Sequence, residues 1–155
     1  MFKNKLKKFR IEQSLTWIEM PELGPKARIQ IAPATDANPQ YYNAMLKLSG
    51  KRVRTMIKTD TITAEDAAQN RDDDRELYPL FVIRGWECVE GDEGEGVVDG
   101  YVLYNRRHAQ LLCQELPAHL MDRIRNTAAT PERFYAEDEI LPPDAEELSG
   151  NSESD

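Results

Sequence analysis

The side chains best suited to nucleophilic or metal chemistry are two cysteines, Cys88 and Cys113, and two histidines, His108 and His119. Structural zinc wants thiolates or imidazoles at the short spacings of CxxC or HxxxH, which bring ligands together on one turn. Here His108 and Cys113 stand five residues apart, and His119 lies six further on, beyond Pro117. No zinc site is expected, and the four residues read as a buried cysteine with surface or helix-capping histidines. GxSxG, GxxxxGK[ST] and GxGxxG are all absent, so the recognisable nucleophile elbow and phosphate cradles are missing. The run Asp72, Asp73, Asp74 could supply paired carboxylates, but nothing near it in sequence singles one out for a raised pKa. It is expected to be a solvated helix face. The acids of the loop Gly91 to Gly100 miss the ligand spacing of an EF-hand. The chain is therefore expected to be no enzyme and to hold no cofactor or metal.

The elements that would position any site can be read from periodicity and turn chemistry. Ser14 to Met20 and Lys26 to Ala32 alternate around the turn formers Pro21, Gly24 and Pro25, which predicts a β pair. Asn38 followed by Pro39 is a helix start, and Tyr41, Ala44, Met45 and Leu48 recur at helical steps until Gly50. Lys51 to Lys58 fits either a continued helix or a strand. Thr63 with Asp66 has the form of a capping box, opening a second helix that runs towards Trp86. Pro79 should either restart that helix near Leu77 or kink it, and a buried strand over Leu80 to Ile83 is the alternative. Gly91 to Gly100 reads as an exposed acidic loop. Asn105 caps a third helix with the stripe Ala109, Leu112, Cys113 and Leu116, and Pro117 opens a fourth with Leu120, Ile124 and Ala128 in line. Thr130-Pro131-Glu132 starts a last turn bearing Phe134. Phe81, Leu112 and Ile124 are expected in the core. The fold class is α+β, predominantly α-helical, with four or five helices and a small N-terminal β pair.

Composition limits the function classes further. The 155 residues carry 20 Lys+Arg against 28 Asp+Glu, and 40% are hydrophobic, enough for one modest core. No run approaches the roughly 18 apolar residues of a membrane span, and no secretory signal follows the basic start. Two cysteines are too few to staple a secreted fold, so a cytoplasmic, reduced protein is expected. The charge divides the chain into a basic arm (1–13), a folded domain (14–135) and an acidic tail (136–155) that is expected to be disordered and either solubilises or docks to a basic partner. The net charge of −8 opposes nucleic-acid binding despite the five basic groups of residues 1–10.

Three blocks resemble the tail assembly chaperones of long-tailed bacteriophages. The first is Lys26-Ala27-Arg28-Ile29-Gln30-Ile31-Ala32-Pro33 followed by Asn38-Pro39-Gln40-Tyr41-Tyr42, similar to a short β segment leading into an "NPxY" helix start. The second is Gly85-Trp86-Glu87, an acidic glycine loop from Asp92 to Gly100, then Tyr101 to Asn105. The third is Ala109-Gln110-Leu111-Leu112, then Leu116-Pro117-Ala118-His119-Leu120 and the closing Thr130-Pro131-Glu132-Arg133-Phe134. Together they span residues 26–134, and their order and spacing carry the likeness more than any one block. Pro79 and the basic arm depart from the pattern. The resemblance implies a non-enzymatic assembly factor that binds the helical tape measure protein, keeps it soluble, and recruits major tail tube subunits. It implies action in the host cytoplasm and absence from the mature virion. The competing expectation is a structural tail or connector protein retained in the particle, and self-association is a further expectation.

Partner contacts are expected from Tyr41, Tyr42, Lys51, Arg52, Arg54, Trp86, Tyr101 and Tyr104, because aromatic and Arg side chains dominate interface energetics. Trp86, at the end of an apolar helix, is read as core before it is read as a contact. Of the adjacent Tyr41 and Tyr42, one should point outward. The cluster Lys51, Arg52, Arg54 either meets an acidic partner or is solvated.

Overall fold

Side-chain caps start three of the helices in the computed structural model, which describes residues 6–7 and 14–135. The acidic tail and all but two residues of the basic arm lie outside the described residues. Asn38 accepts the Tyr41 backbone N–H and starts α1, Pro39–Thr59. Thr63 and Asp66 form a reciprocal capping box at the start of α2, Ala64–Phe81. Asn105 accepts the His108 N–H and opens α3, Arg106–Glu115, and Pro117 precedes α4, Ala118–Ala128. A 3-10 turn over Pro131–Phe134 closes the domain. Among the described residues no helix is long and apolar enough to cross a membrane.

Three strands form one antiparallel sheet in the order β1 (Thr16–Glu19), β2 (Arg28–Ile31), β3 (Ile83–Glu87). The expected β pair is β1 with β2, in the register Ile18↔Ile29. The third strand corrects the expectation that the second helix reaches Trp86. The helix ends at Phe81, Val82 donates its N–H to Tyr78, and Ile83–Glu87 then pairs with β2 through Ile29↔Trp86. Pairing beside β2 satisfies a row of backbone groups that a lone hairpin would leave open to water. Ile18, Ile29, Ile31 and Ile83 point into the core from this sheet. On the other face Arg28 bonds Glu87 and stacks its guanidinium 4.0 Å from the Trp17 ring centre.

Three further expectations change. Gly50 does not stop α1, which continues to Thr59 and ends on Asp60 in the left-handed conformation. One interior glycine costs roughly 1 kcal/mol; α1 offsets this by resting on α2, where Arg52 bonds Asp73 and Asn70. The stretch that could have been a strand is therefore helix. The helix does not restart near Leu77: α2 runs without a break through Pro79, which sits buried in its final turns. The glycine loop contains a small hairpin, β4 (Val97–Val98) with β5 (Tyr101–Val102), turned by Asp99 and Gly100 at φ values of 55° and 84°. Asp-Gly suits the type I′ turn that matches strand twist.

The core runs between the sheet and α2, α3 and α4. Tyr78, Met20, Met121, Ile124, Cys113 and Phe134 are fully enclosed in it. Phe81 and Leu112 pack at its margin rather than inside. Burial pushes the Cys113 thiol up to about 12, whereas Cys88 is half-buried. A thiol alkylating reagent at pH 8 should therefore label Cys88 of the native protein and leave Cys113 untouched until the fold opens, as peptide mass spectrometry would show. Equal labelling of both under native conditions would contradict this burial.

The acidic run on α2 is not a solvated face. Asp73 and Asp74 are 6% and 8% exposed, and Asp72 alone faces water. Asp74 accepts the Tyr41 hydroxyl at 2.8 Å and the Arg125 Nε–H at 2.8 Å. Arg125 also bonds Asp122, which receives a two-pronged contact from Arg71 at 3.0 Å. Arg71 and Arg125 hold the Asp122 carboxyl below the usual range. Burial pushes the Asp74 carboxyl up, and the bonds from Arg125 and Tyr41 offset this only in part. Helical spacing cannot tell a face turned to water from one turned to arginines on other helices, hence the correction.

A candidate partner-binding groove

A cleft of about 520 Å³ opens where the sheet, the hairpin and the third and fourth helices meet. Each wall follows from a local feature. Pro21–Leu23 forms a 3-10 turn after β1 and presents Leu23. Gly24 follows at φ 149°, where a Cβ would come within 2.8 Å of the Cys88 carbonyl, so only glycine lets this turn approach the chain after β3. The Glu90 N–H then donates to the Leu23 carbonyl at 2.8 Å and locks the two segments together. Val102 of β5 and the α3 stripe Leu112 and Leu116 complete the apolar lining, with Leu111 at the edge.

Trp86 is held as part of the wall. Its indole N–H donates to the Val102 carbonyl at 2.8 Å, and its ring meets Tyr104 edge-on at 5.1 Å between centres. The Tyr104 hydroxyl donates to the Ile83 carbonyl at 3.1 Å. The His108 ring reaches the Leu103 carbonyl at 2.7 Å through Nδ1, tying the loop after β5 to α3. These bonds shape the cleft before anything binds, which lowers the ordering cost of association.

The rim is acidic. Glu22, Glu90, Asp92 and Glu115 line the cleft. Glu22 is occupied by Arg123 in a two-pronged contact at 2.6 Å, which lowers its pKa to about 2. Glu90, Asp92 and Glu115 have no ion-pair partner among the described residues. An apolar floor with uncompensated carboxylates fits an amphipathic segment whose polar face is basic. Among the described residues no cluster of three or more His, Cys, Asp or Glu could hold a metal ion.

Of the expected contact residues, only Trp86 lines this groove. Tyr104 supports it from behind, and Tyr101 stands on the neighbouring hairpin, 38% exposed. Tyr41 is buried against Asp74 and Tyr78, and Tyr42 is the outward member of the pair. Arg52 is engaged with Asp73, whereas Lys51 and Arg54 are exposed on α1, away from the groove. The sequence reading missed Glu22, Leu23, Val89, Glu90, Asp92 and Glu115 as site residues, because they come from separate elements and share no motif. The dense turn at Pro21 to Pro25 was the one local signal at this place.

The scaffold that carries the groove is a predominantly helical α+β domain with a small antiparallel sheet. Compared with models of protein families, with characterised proteins and with solved structures, the chain matches none.

Proposed function

We propose that this protein is a non-enzymatic tail assembly chaperone of a long-tailed bacteriophage. It binds helical segments of the tape measure protein, keeps that protein soluble in the host cytoplasm, recruits major tail tube subunits, and departs before the virion is complete. The observation that supports this reading best is the preformed groove, apolar on its floor and acidic on its rim, set within a chain whose motif order resembles that family. A long helical client exposes apolar stripes that would otherwise aggregate. Covering them in such a groove removes apolar surface from water at about 25 cal/mol per Å².

Co-expression with the tape measure protein should raise its soluble yield and allow the two to be purified together. Leu111, 41% exposed at the edge of the groove, is a clean probe, because its side chain supports no part of the core. Leu111→Glu should leave the melting temperature within about 2 °C of the parent and weaken client binding at least about 10-fold. A parent protein that neither binds the client nor raises its yield would sink the proposal.

A second reading is a structural tail or connector subunit retained in the particle. The exposed basic face of α1 and the acidic groove elsewhere on the domain favour it, since such oppositely charged surfaces can link neighbouring copies. Mass spectrometry of purified virions decides between the two: a chaperone is absent or scarce there, and a structural subunit abundant.

A further inference from the structure

One helix carries a surface that none of the described residues of its own chain covers. The 21 residues of α1 include five basic groups and no acid. Arg52 turns inward to Asp73, which leaves Lys47, Lys51, Arg54 and Lys58. These four follow one another at steps of four, three and four residues, so they lie along one stripe of the helix. All four are exposed, and none has a carboxylate partner among the described residues. One position earlier runs a row in which Leu46 and Ile57 are exposed and Val53 is half-buried, with the buried Gly50 between Leu46 and Val53. Leu46 is 40% exposed and Ile57 75%. Exposed apolar side chains aligned beside uncompensated cations on a well-capped helix mark a docking face rather than scattered surface residues.

The groove is the counterpart of that face. Its floor of Trp86, Leu112 and Leu116 would take the apolar stripe, and Glu90, Asp92 and Glu115 would meet the lysines and Arg54. No α1 residue lines the groove, and α1 is fastened to α2 through Arg52 and to the β2–α1 connection through Asn38. A chain therefore cannot place α1 in its own groove without dismantling its fold. We propose that α1 of one copy docks in the groove of a second copy of this chain, head to tail. Each junction leaves one free face and one free groove, so copies add until a ring closes or a helical client displaces α1. Anionic lipid or nucleic acid would also attract basic groups, but a chain of net charge −8 is repelled by both, while it carries a matching acidic groove in every copy. The pairing depends on the two faces alone and not on the identity of any client.

Sedimentation velocity of the full chain tests it, at roughly 1 to 200 µM protein and at about 0.05 and 0.5 M NaCl. The expected result is a weight-average mass that rises with concentration at low salt and falls back at high salt. Two variants at exposed positions should each weaken association at least about 10-fold while keeping the parent circular dichroism: Lys51→Glu with Lys58→Glu, and Glu90→Lys with Glu115→Lys. Mixing the two variants should restore association, because every junction between unlike copies again joins opposite charges. A parent that stays monomeric across the whole range overturns the proposal. So does a groove variant that associates like the parent, or an α1 variant whose only defect is lost retention on phosphatidylserine vesicles or on DNA. Since no client enters these measurements, failure to bind a tape measure protein would leave the self-docking result intact, and the reverse also holds.

Discussion

Replacing Arg125 with methionine is expected to destabilise the fold by about 3–5 kcal/mol, the usual cost of leaving one member of a buried ion pair behind. Asp74 is the reason. It is 8% exposed, and its two oxygens are divided between the Arg125 Nε–H and the Tyr41 hydroxyl. Burial already pushes its carboxyl up with the arginine present, so without Arg125 the residue must protonate or admit water. In a domain of this size the loss corresponds to a fall in Tm of about 10 °C, readable in a thermal melt at pH 7. The methionine keeps most of the buried stem of Arg125, so lost packing contributes little. Adding Asp74→Asn to Arg125→Met should recover about 1–3 kcal/mol, because the charge is gone and the amide oxygen still accepts from Tyr41. A double variant no more stable than the single one would mean that Arg125 acts by packing rather than by charge. The exposed Glu22–Arg123 contact is shorter, yet water screens it, and its loss should barely move the melt.

Phe134→Ala is expected to cost about 3–5 kcal/mol, the range for emptying a fully enclosed aromatic site. Phe134 is 0% exposed although it lies in the last 3-10 turn, only one residue before the end of the described domain. Arg133 beside it donates to the Trp17 carbonyl at 3.0 Å, so this turn fastens the first strand to the last described element. Chemical denaturation with both tryptophan fluorescence and circular dichroism would show whether sheet and helices lose stability together, as one shared core demands. Tyr42→Ala is the contrast: an aromatic of similar size at an exposed site should change stability by less than about 0.5 kcal/mol. If Phe134→Ala behaved like Tyr42→Ala, the C-terminal turn would not belong to the core.

The sequence by itself determined the features that depend on neighbours within a few residues. Asn38, Thr63 and Asn105 each cap the helix they announce, because a cap is a bond between a side chain and a backbone N–H three positions on. The α3 and α4 stripes hold for the same reason: residues three and four apart share a helix face wherever the helix is placed. The β1–β2 pair was legible from alternation around a turn. Only the tertiary structure decided what depends on distant partners. Ile83–Glu87 is a strand because β2, more than fifty residues earlier, offers it an open edge. Asp73 and Asp74 are buried because Arg52 and Arg125 approach from other helices. The groove gathers Leu23, Trp86, Val102 and Leu116 from four segments that no local pattern connects. Local bonding sets where the helices start and which residues share a face, whereas the pairing of a distant strand and the net energy of burying a charge or an apolar wall belong to the assembled neighbours, and those neighbours are fixed only when the chain has folded.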